Sequence, residues 1–302
     1  MSGGRPVPVR RRRLLGSLAT LAVAVGALPA ALLLGVVPVD WGAGAILHPY
    51  RKPLTRQPDL PFELLRFESG GAQLEGWLFR PAHARAALVY LHGIGDNRES
   101  GIGVAKRLVP RGYAVLAFDA RAHGRSTGPA CTYGALERHD VSRALDALHV
   151  SRAILLGHSL GASVALQAAA IDPRVSAVVA ASPFSDLRSI VEERAGWFHL
   201  PRRYVRDALA RAGELGGFPP DEASPVALAP AVHVPVLLLH GALDRKTPPA
   251  HSLRIAAALP SPPVLRVLPG IGHDEILGRD EAWREIDAFL DGLSAPDGPS
   301  AP

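Results

Sequence analysis

From residue 62 onward, short apolar runs alternate with stretches whose apolar residues recur at helical spacing. Eight runs are predicted to be strands: Phe62–Phe67, Leu74–Phe79, Ala87–Leu91, Ala114–Phe118, Ala153–Leu156, Val175–Ala181, Val234–His240 and Val264–Leu268. Five stretches are predicted to be helices: Gly101–Val109, Tyr133–His149, Leu160–Ala170, Ala250–Leu259 and Glu281–Leu290. Because apolar strands that alternate with helices are typical of a covered parallel sheet, the sequence predicts an α/β fold. Its eight-stranded sheet is expected to be mostly parallel, with helices on both faces.

One long interruption marks a smaller unit within this fold. Residues 186–232 break the alternation of strands and helices. A connection of ~47 residues is too long for a simple loop in a compact domain, so it is predicted to form a small helical cap. The whole predicted domain spans residues 62–293, and residues 294–302 are predicted to be a disordered tail.

The basic charge of the chain is concentrated at its N-terminus. The 302 residues include 33 basic and 28 acidic side chains, and five of the basic ones are arginines within residues 1–13. The remaining residues carry 28 basic and 28 acidic side chains and therefore no formal net charge. Because nucleic-acid binding needs a basic face on the folded domain, no nucleic-acid partner is predicted. The single cysteine, Cys131, excludes an intramolecular disulfide.

The segment that follows the arginines predicts an attachment to the membrane. Leu14–Val39 contains 26 residues without a charge. As a helix it would extend about 39 Å, more than the ~30 Å of a bilayer core, and it exceeds the roughly 7–15 apolar residues of a signal peptide. We therefore predict a single transmembrane anchor at residues 14–39, followed by a linker at residues 40–61. The arginines before it predict that the body of the protein lies outside the cytoplasm.

Two alternatives to the anchor stay open. Residues 11–15 (RRRLL) loosely resemble a twin-arginine export signal, and residues 43–45 (AGA) could be a cleavage site. In that case the mature protein would be exported and cleaved. The other alternative is an apolar helix that packs on the soluble domain.

The pattern Gly-x-Ser-x-Gly occurs twice, around Ser159 and around Ser126. A serine nucleophile on this kind of sheet needs a sharp turn directly from a strand into a helix, which lifts the hydroxyl above the sheet. Ser159 directly follows a predicted strand and precedes a helical run, whereas Ser126 lies well beyond its strand and is followed by Pro129. Ser159 is therefore the candidate nucleophile. Ser126 is expected to be a loop residue, and the alternative for Ser159 is a helix N-cap.

A serine nucleophile needs a base that removes its proton and an acid that orients the base. The expected chain order on this architecture is Ser, Asp, His. Asp244 and His273 follow the seventh and eighth predicted strands in this order. They are the candidate acid and base, with Asp186 as a competitor for the acid. Of the other histidines, His92, His158 and His240 are expected to bond backbone groups at strand ends, and His139 and His251 to lie on solvated helices.

Acyl transfer also requires two backbone N–H donors for the oxyanion of the transition state. One donor is predicted to be Leu160, directly after the nucleophile at the positive end of a helix. The other is predicted to be Ile94, because the glycines beside it allow a close backbone approach.

Taken together, these residues resemble the α/β-hydrolase superfamily. The body looks like its serine-aminopeptidase-type branch, which includes lysophospholipase-like and membrane-anchored Bem46-like hydrolases. The matching pieces are Leu91-His92-Gly93, residues 119–126 (DARAHGRS), residues 157–161 (GHSLG), residues 240–244 (HGALD) and Gly272-His273. The resemblance covers about residues 62–292 and implies a serine hydrolase, but it does not identify the substrate.

The leading interpretation is a serine hydrolase that cleaves carboxylic esters of small or lipid-like substrates without a cofactor or metal. Aromatic and apolar cap residues could line an acyl pocket or simply pack on the sheet: Trp197, Phe198, Leu200, Tyr204 and Phe218. A thioesterase or an aminopeptidase on the same fold is an alternative, with Glu192 and Glu193 as possible ligands for an α-ammonium group. A membrane-tethered binding protein without catalytic activity is a further alternative.

Overall fold

A computed structural model describes residues 37–293 of the chain. The strands are β1 (Glu63–Ser69), β2 (Ala72–Phe79), β3 (Ala86–Leu91), β4 (Tyr113–Phe118), β5 (Ala153–His158), β6 (Val175–Ala181), β7 (Val236–Gly241) and β8 (Val264–Leu268). The α-helices are α1 (Val39–Leu47), α2 (Gly101–Leu108), α3 (Glu137–Leu148), α4 (Leu160–Ala169), α5 (Leu187–Trp197), α6 (Arg202–Gly216), α7 (Pro225–Leu228), α8 (Ala250–Ala258) and α9 (Asp280–Gly292).

The eight strands form one sheet in the order β1-β2-β4-β3-β5-β6-β7-β8. The pairs β1–β2 and β2–β4 are antiparallel, and the other five pairs are parallel. Gly70 and Gly71 both have positive φ in the tight turn that joins β1 to β2. The predicted eight-stranded, mostly parallel sheet is therefore confirmed.

Alternate side chains of the central strands pack into two separate apolar layers. One layer receives Val89, Leu155, Val178 and Leu238, and it contains residues of α3, α4 and the cap. The other receives Leu88, Ile154, Val179 and Leu237, and it contains residues of α2 and α9. Since successive side chains of a strand point to opposite faces, this pattern requires helices on both faces, as predicted.

The predicted cap is present as helices α5, α6 and α7. Ahead of the domain, however, the structure differs from the expected linker, because residues 39–47 form helix α1. Ala43 and Leu47 of α1 are buried, and the helix packs along α6. A Cβ added to Gly42 would lie 2.8 Å from the Ala208 Cβ, so the two helices approach each other closely. Helix α1 therefore belongs to the cap.

The chain between α1 and β1 is extended and tied to the domain by polar contacts. Lys52 pairs with Asp96 at 2.7 Å, and the Asn97 side chain donates a hydrogen bond to the Lys52 carbonyl oxygen at 3.0 Å. The Glu99 carboxylate accepts hydrogen bonds from the backbone N–H groups of Thr55 and Arg56. This segment is thus held against the loop that follows β3.

Most of the predicted membrane anchor, residues 14–39, lies outside the described residues, as do residues 1–13 and 294–302. Within residues 37–293, no helix is long and apolar enough to cross a membrane. The proposed cleavage site at residues 43–45 lies inside α1, where Ala43 is fully buried.

Two buried histidines make the stability of the fold sensitive to acid. His92 and His123 stack edge to face with ring centroids 5.1 Å apart. Burial, together with the neighbouring His92, lowers the pKa of His123 to about 4. An unfolded histidine has a pKa of ~6.5. As the pH falls below 6.5, the unfolded chain binds a proton that the folded chain does not, so the free energy of unfolding decreases.

We expect His123→Asn to weaken this acid sensitivity. The Nδ1–H of His123 donates to the Arg121 carbonyl oxygen at 2.8 Å, and an asparagine amide can keep that bond without titrating. Between pH 7 and pH 5 the wild-type free energy of unfolding should fall by about 2 kcal/mol more than that of the variant, measured by urea denaturation. His83→Asn is the control, because it makes the same substitution at an exposed histidine outside this buried pair. Equal pH dependence in His123→Asn and the wild type would contradict the expectation.

Candidate active site

The candidate nucleophile lies in a strained turn between β5 and α4. Ser159 has φ 53° and ψ −114°, a region that non-glycine residues occupy only where the surrounding structure holds them. The Ser159 backbone N–H donates to the Ala181 carbonyl oxygen at 2.8 Å, which ties the turn to the end of β6. The predicted sharp passage from strand to helix is therefore present at Ser159.

The two glycines of the motif are needed because backbone segments meet at this turn. A Cβ on Gly157 would lie 2.3 Å from the Gly161 carbonyl carbon and oxygen. A Cβ on Gly161 would lie 2.0 Å from the Leu91 carbonyl oxygen at the end of β3. Neither contact can be relieved by a side-chain rotation, since the opposing atoms are backbone.

We therefore expect Gly161→Ala to disrupt the site by forcing α4 away from β3. The free energy of unfolding should fall by about 3 kcal/mol or more, because the new methyl group has no space. Gly103 of α2 is the matched control: no atom lies within 4 Å of its added Cβ. Gly103→Ala should stabilise the exposed helix by roughly 0.5–1 kcal/mol. Thermal unfolding of both variants tests the pair, and similar melting temperatures would contradict the packing argument.

Ser159, His273 and Asp244 form a continuous hydrogen-bonded chain. The His273 Nε2 lies 2.9 Å from the Ser159 Oγ, and the His273 Nδ1 lies 2.6 Å from the Asp244 Oδ2. Because a carboxylate can only accept, Nδ1 carries the hydrogen, and Nε2 accepts the bond from the serine hydroxyl. All three residues are buried. The structure thus brings together the three residues that the sequence proposed.

Asp244 is held as a carboxylate by several donors. Burial alone raises its pKa, but hydrogen bonds from His240, His273 and the Thr247 backbone N–H lower it well below its usual range. The Thr247 N–H donates to the Asp244 Oδ1 at 2.8 Å, and the His240 Nε2 lies 3.3 Å from the Asp244 Oδ2. His240 also donates to the Thr247 carbonyl oxygen at 2.7 Å, so it fixes the loop that carries Asp244. Asp244 is therefore available as a permanent negative charge beside His273.

His158 positions the loop that carries His273. Its Nε2–H donates to the His273 carbonyl oxygen at 3.0 Å, and the two rings lie 5.1 Å apart. Burial and the neighbouring His273 lower the pKa of His158 to about 4, so this imidazole is neutral near pH 7. The expected backbone hydrogen bonds of His92, His158 and His240 are all present.

Two cavities meet at Ser159. The apolar cavity has a volume of about 350 Å³ and lies between the sheet, the cap helices α5 and α6, and helix α1. The polar cleft has a volume of about 700 Å³ and contains His158, His273, Lys52 and Lys246 in its walls. The predicted oxyanion donors Ile94 and Leu160 both line the apolar cavity beside Ser159. Leu160 is the first residue of α4, where a backbone N–H has no acceptor within the helix.

This combination of sheet, cap and strained serine turn matches a known family. A model of the alpha/beta hydrolase fold matches residues 86–206. The chain therefore has the α/β-hydrolase fold and resembles the α/β-hydrolase superfamily over these residues. The matched residues run from β3 through the Ser159 turn into α6 of the cap.

The curated proteins that resemble this chain have differing descriptions. The quorum-quenching protein AidA of Acinetobacter baumannii is 31% identical over 45% of this chain and 48% of its own length. The sn-1-specific diacylglycerol lipase ABHD11 of Danio rerio is 39% identical over 29% of this chain and 28% of its own length. The chain therefore spans about half or less of the length of these curated relatives.

Among solved structures, the Pyrococcus furiosus esterase Pf2001 superimposes with a TM-score of 0.66 at 22% identity. The match covers 82% of this chain and 97% of the esterase. At this level of identity the likeness concerns the fold alone.

The cap residues proposed for an acyl pocket have different positions in the structure. Phe198, Leu200 and Tyr204 line the apolar cavity, whereas Trp197 lines only the polar cleft. Phe218 is buried elsewhere; a Cβ on Gly216 would meet Phe218 and Leu47. Glu192 and Glu193 line neither cavity. Helix α1, which the sequence analysis placed in a linker, contributes Gly42, Ala45 and Ile46 to the apolar wall.

Ser126, the second motif serine, has a structural role. Its hydroxyl donates to the Asp119 carbonyl oxygen at 2.6 Å and accepts from the Glu75 N–H at 3.0 Å. Ser126 is buried and lines neither cavity. It therefore connects the loop after β4 to β2.

A second cluster of serine, histidine and carboxylate groups lies under the cap. The prediction that His251 is solvated is wrong, because it is fully buried. Its Nδ1 accepts from the Ser185 backbone N–H at 3.0 Å and from Arg254 at 2.7 Å, and its Nε2–H donates to Glu193 at 3.0 Å. The Ser185 hydroxyl donates to Asp186 instead. Because the His251 Nδ1 is already occupied, it is not arranged to remove the proton of Ser185.

Asp186, the competitor for the triad acid, caps helix α5. Its Oδ1 accepts from the Ser189 N–H at 2.8 Å, and His273 contacts Asp244 instead. Among residues 37–293, no group of three or more histidine, cysteine or acidic residues could hold a metal ion.

Proposed function

We propose that this protein is a serine hydrolase that cleaves carboxylic esters. The observation that carries the proposal is the hydrogen-bonded chain from Ser159 through His273 to Asp244, located where the apolar cavity meets the polar cleft. The apolar cavity suits an acyl chain, and the polar cleft suits the alcohol part of the ester.

The reaction then follows from the positions of these groups. The Ser159 Oγ attacks the ester carbonyl carbon while the His273 Nε2 takes its proton, and Asp244 stabilises the imidazolium that forms. The backbone N–H groups of Ile94 and Leu160 are proposed to hold the oxyanion; the loss of one such donor costs roughly 10²–10³ in rate. His273 returns the proton to the departing alcohol, and water then hydrolyses the acyl-enzyme by the same route.

The alternatives have less support from the geometry. The carboxylates proposed to bind an α-ammonium group, Glu192 and Glu193, line neither cavity, and Glu193 is paired with His251 and Arg254. A thioesterase would use the same three residues and differs only in the leaving group. A binding protein without catalysis would not require the strained backbone of Ser159.

A substrate panel tests the proposed function. Nitrophenyl esters of rising acyl length, the matching thioesters and aminoacyl nitroanilides are compared at equal concentration. We expect the esters to be hydrolysed fastest, with a preference limited by the 350 Å³ of the apolar cavity. Faster cleavage of aminoacyl nitroanilides would contradict the ester assignment and support an aminopeptidase.

We also propose that residues 14–39 hold the protein in a membrane, with the hydrolase domain outside the cytoplasm. The support is the length of the uncharged segment and the arginines before it. The full chain should stay in the membrane pellet after carbonate washing. A chain that starts at residue 37 should be soluble and active, because it keeps α1. Recovery of a mature protein that starts near Ile46 would show export and cleavage instead.

A further inference from the structure

One charged side chain lies where the two cavities meet. The residues that line both cavities are Ile94, Ser159, Arg194 and Phe198. Arg194 is the only charged residue among them. It lies on α5 of the cap and, like Ser159, lines both cavities.

The polar cleft has an excess positive charge because of Arg194. Lys52 pairs with Asp96 at 2.7 Å, and Lys246 pairs with Asp274. Within residues 37–293, Arg194 has no carboxylate within 4 Å, in contrast to Arg188 on the same helix, which pairs with Asp221 at 2.8 Å. The cleft therefore presents one uncompensated cation beside the site of attack.

The Arg194 side chain also has unused hydrogen-bonding capacity. Its Nε is buried and has no acceptor among the described residues. An arginine carries five N–H donors and no acceptor, and a buried donor without a partner is unfavourable. A phosphate or carboxylate oxygen supplies the partner with the best match in charge and geometry.

Helix α5 is held in place next to Arg194. The adjacent Glu193 accepts a hydrogen bond from buried His251 at 3.0 Å, and Arg254 lies 3.8 Å from the same carboxylate. Both partners belong to α8, so this turn of the cap is fixed to the main domain. Arg194 is therefore presented from a defined position rather than from a free loop.

We propose that Arg194 binds an anionic group on the alcohol part of the ester, so that the preferred substrates are acyl esters of an anionic alcohol. This inference rests on the proposed ester hydrolysis at Ser159. We assign the anion to the alcohol part because Arg194 also lines the polar cleft, which the proposed function gives to the alcohol, and because the rest of the apolar cavity wall carries no charged side chain.

The test compares octanoyl esters that differ only in the alcohol: glycerol, glycerol 3-phosphate and glycerate. Wild-type kcat/KM should be at least about tenfold higher for the two anionic esters, mainly through KM, as expected for one charge-assisted contact. Arg194→Met should bring the ratio of the anionic to the neutral esters close to one. Arg194→Lys should keep part of the preference. Arg188→Met, the control on the same helix, should keep the wild-type ratio.

Several outcomes would overturn the inference. One is a wild-type ratio near one, and another is an equal loss on all three esters in Arg194→Met. A preference for an anion at the far end of the acyl chain, measured with the methyl half-ester of a dicarboxylic acid, would also overturn it. Failure of the proposed function is distinguishable, because the wild type would then not hydrolyse the neutral glycerol ester either.

Discussion

Ser159→Ala is expected to lower kcat for ester hydrolysis by about 10⁶ while the protein stays folded, as for the nucleophile of other serine hydrolases. The alanine removes the Oγ that lies 2.9 Å from the His273 Nε2, and with it the proposed attacking atom. Initial rates on a short-chain nitrophenyl ester measure the loss. Circular dichroism and thermal unfolding should show a fold close to the wild type.

Ser126→Ala is the matched control because it changes the serine of the second Gly-x-Ser-x-Gly sequence. Ser126 makes two buried backbone hydrogen bonds, so its loss should cost about 1–3 kcal/mol in the free energy of unfolding. The activity of the folded fraction should stay within about tenfold, a small change beside the expected effect of Ser159→Ala. An inactive Ser126→Ala together with an active Ser159→Ala would show that the wrong serine has been assigned.

Asp244→Asn should lower kcat by about 10⁴, as in a well-studied serine protease in which the same change favours the wrong histidine tautomer. An asparagine amide fits the space of the carboxylate but cannot stabilise the imidazolium of His273. His240 and the Thr247 N–H would still hold the loop, so the fold should survive. Steady-state kinetics and thermal unfolding of the purified variant test both parts of this expectation.

Asp186→Asn is the control for this substitution, because Asp186 was the other candidate for the acid that orients His273. Asp186 caps α5 through the Ser189 N–H, and an asparagine retains this role because it is an equally good N-cap. Its kcat should therefore stay within about threefold of the wild type. Similar small effects of both substitutions would remove Asp244 from the proposed mechanism.

The sequence predicted the sheet and the three central residues because both depend on local patterns. Apolar runs identify strands, and the residue that follows a strand in a parallel sheet lies at the edge where ligands bind. This reasoning selected Ser159, Asp244 and His273, which the structure brings together in one hydrogen-bonded chain; their catalytic role stays a prediction. The strained φ of Ser159 and the close approach of Gly161 to Leu91 agree with the motif.

Other features depend on tertiary contacts that no local pattern shows. Helix α1 follows an uncharged segment, and only its packing along α6 shows that it forms a wall of the apolar cavity. His251 lies on an amphipathic helix and looked solvated, but the cap covers it. The sequence around Arg194 does not distinguish it from other arginines on charged helices; only the fold shows that it lines the same two cavities as Ser159. In each case, residues far away in the sequence determine whether the side chain is buried or lines a cavity.

The most direct test of the central claim is covalent labelling with a fluorophosphonate. The attacking serine oxygen forms a bond to phosphorus and fluoride leaves, so the probe marks the activated serine. Mass spectrometry of the labelled wild-type protein should place the adduct on Ser159, and Asp244→Asn should slow the labelling. An adduct on Ser126 or Ser185, or unchanged labelling in Ser159→Ala, would contradict the account.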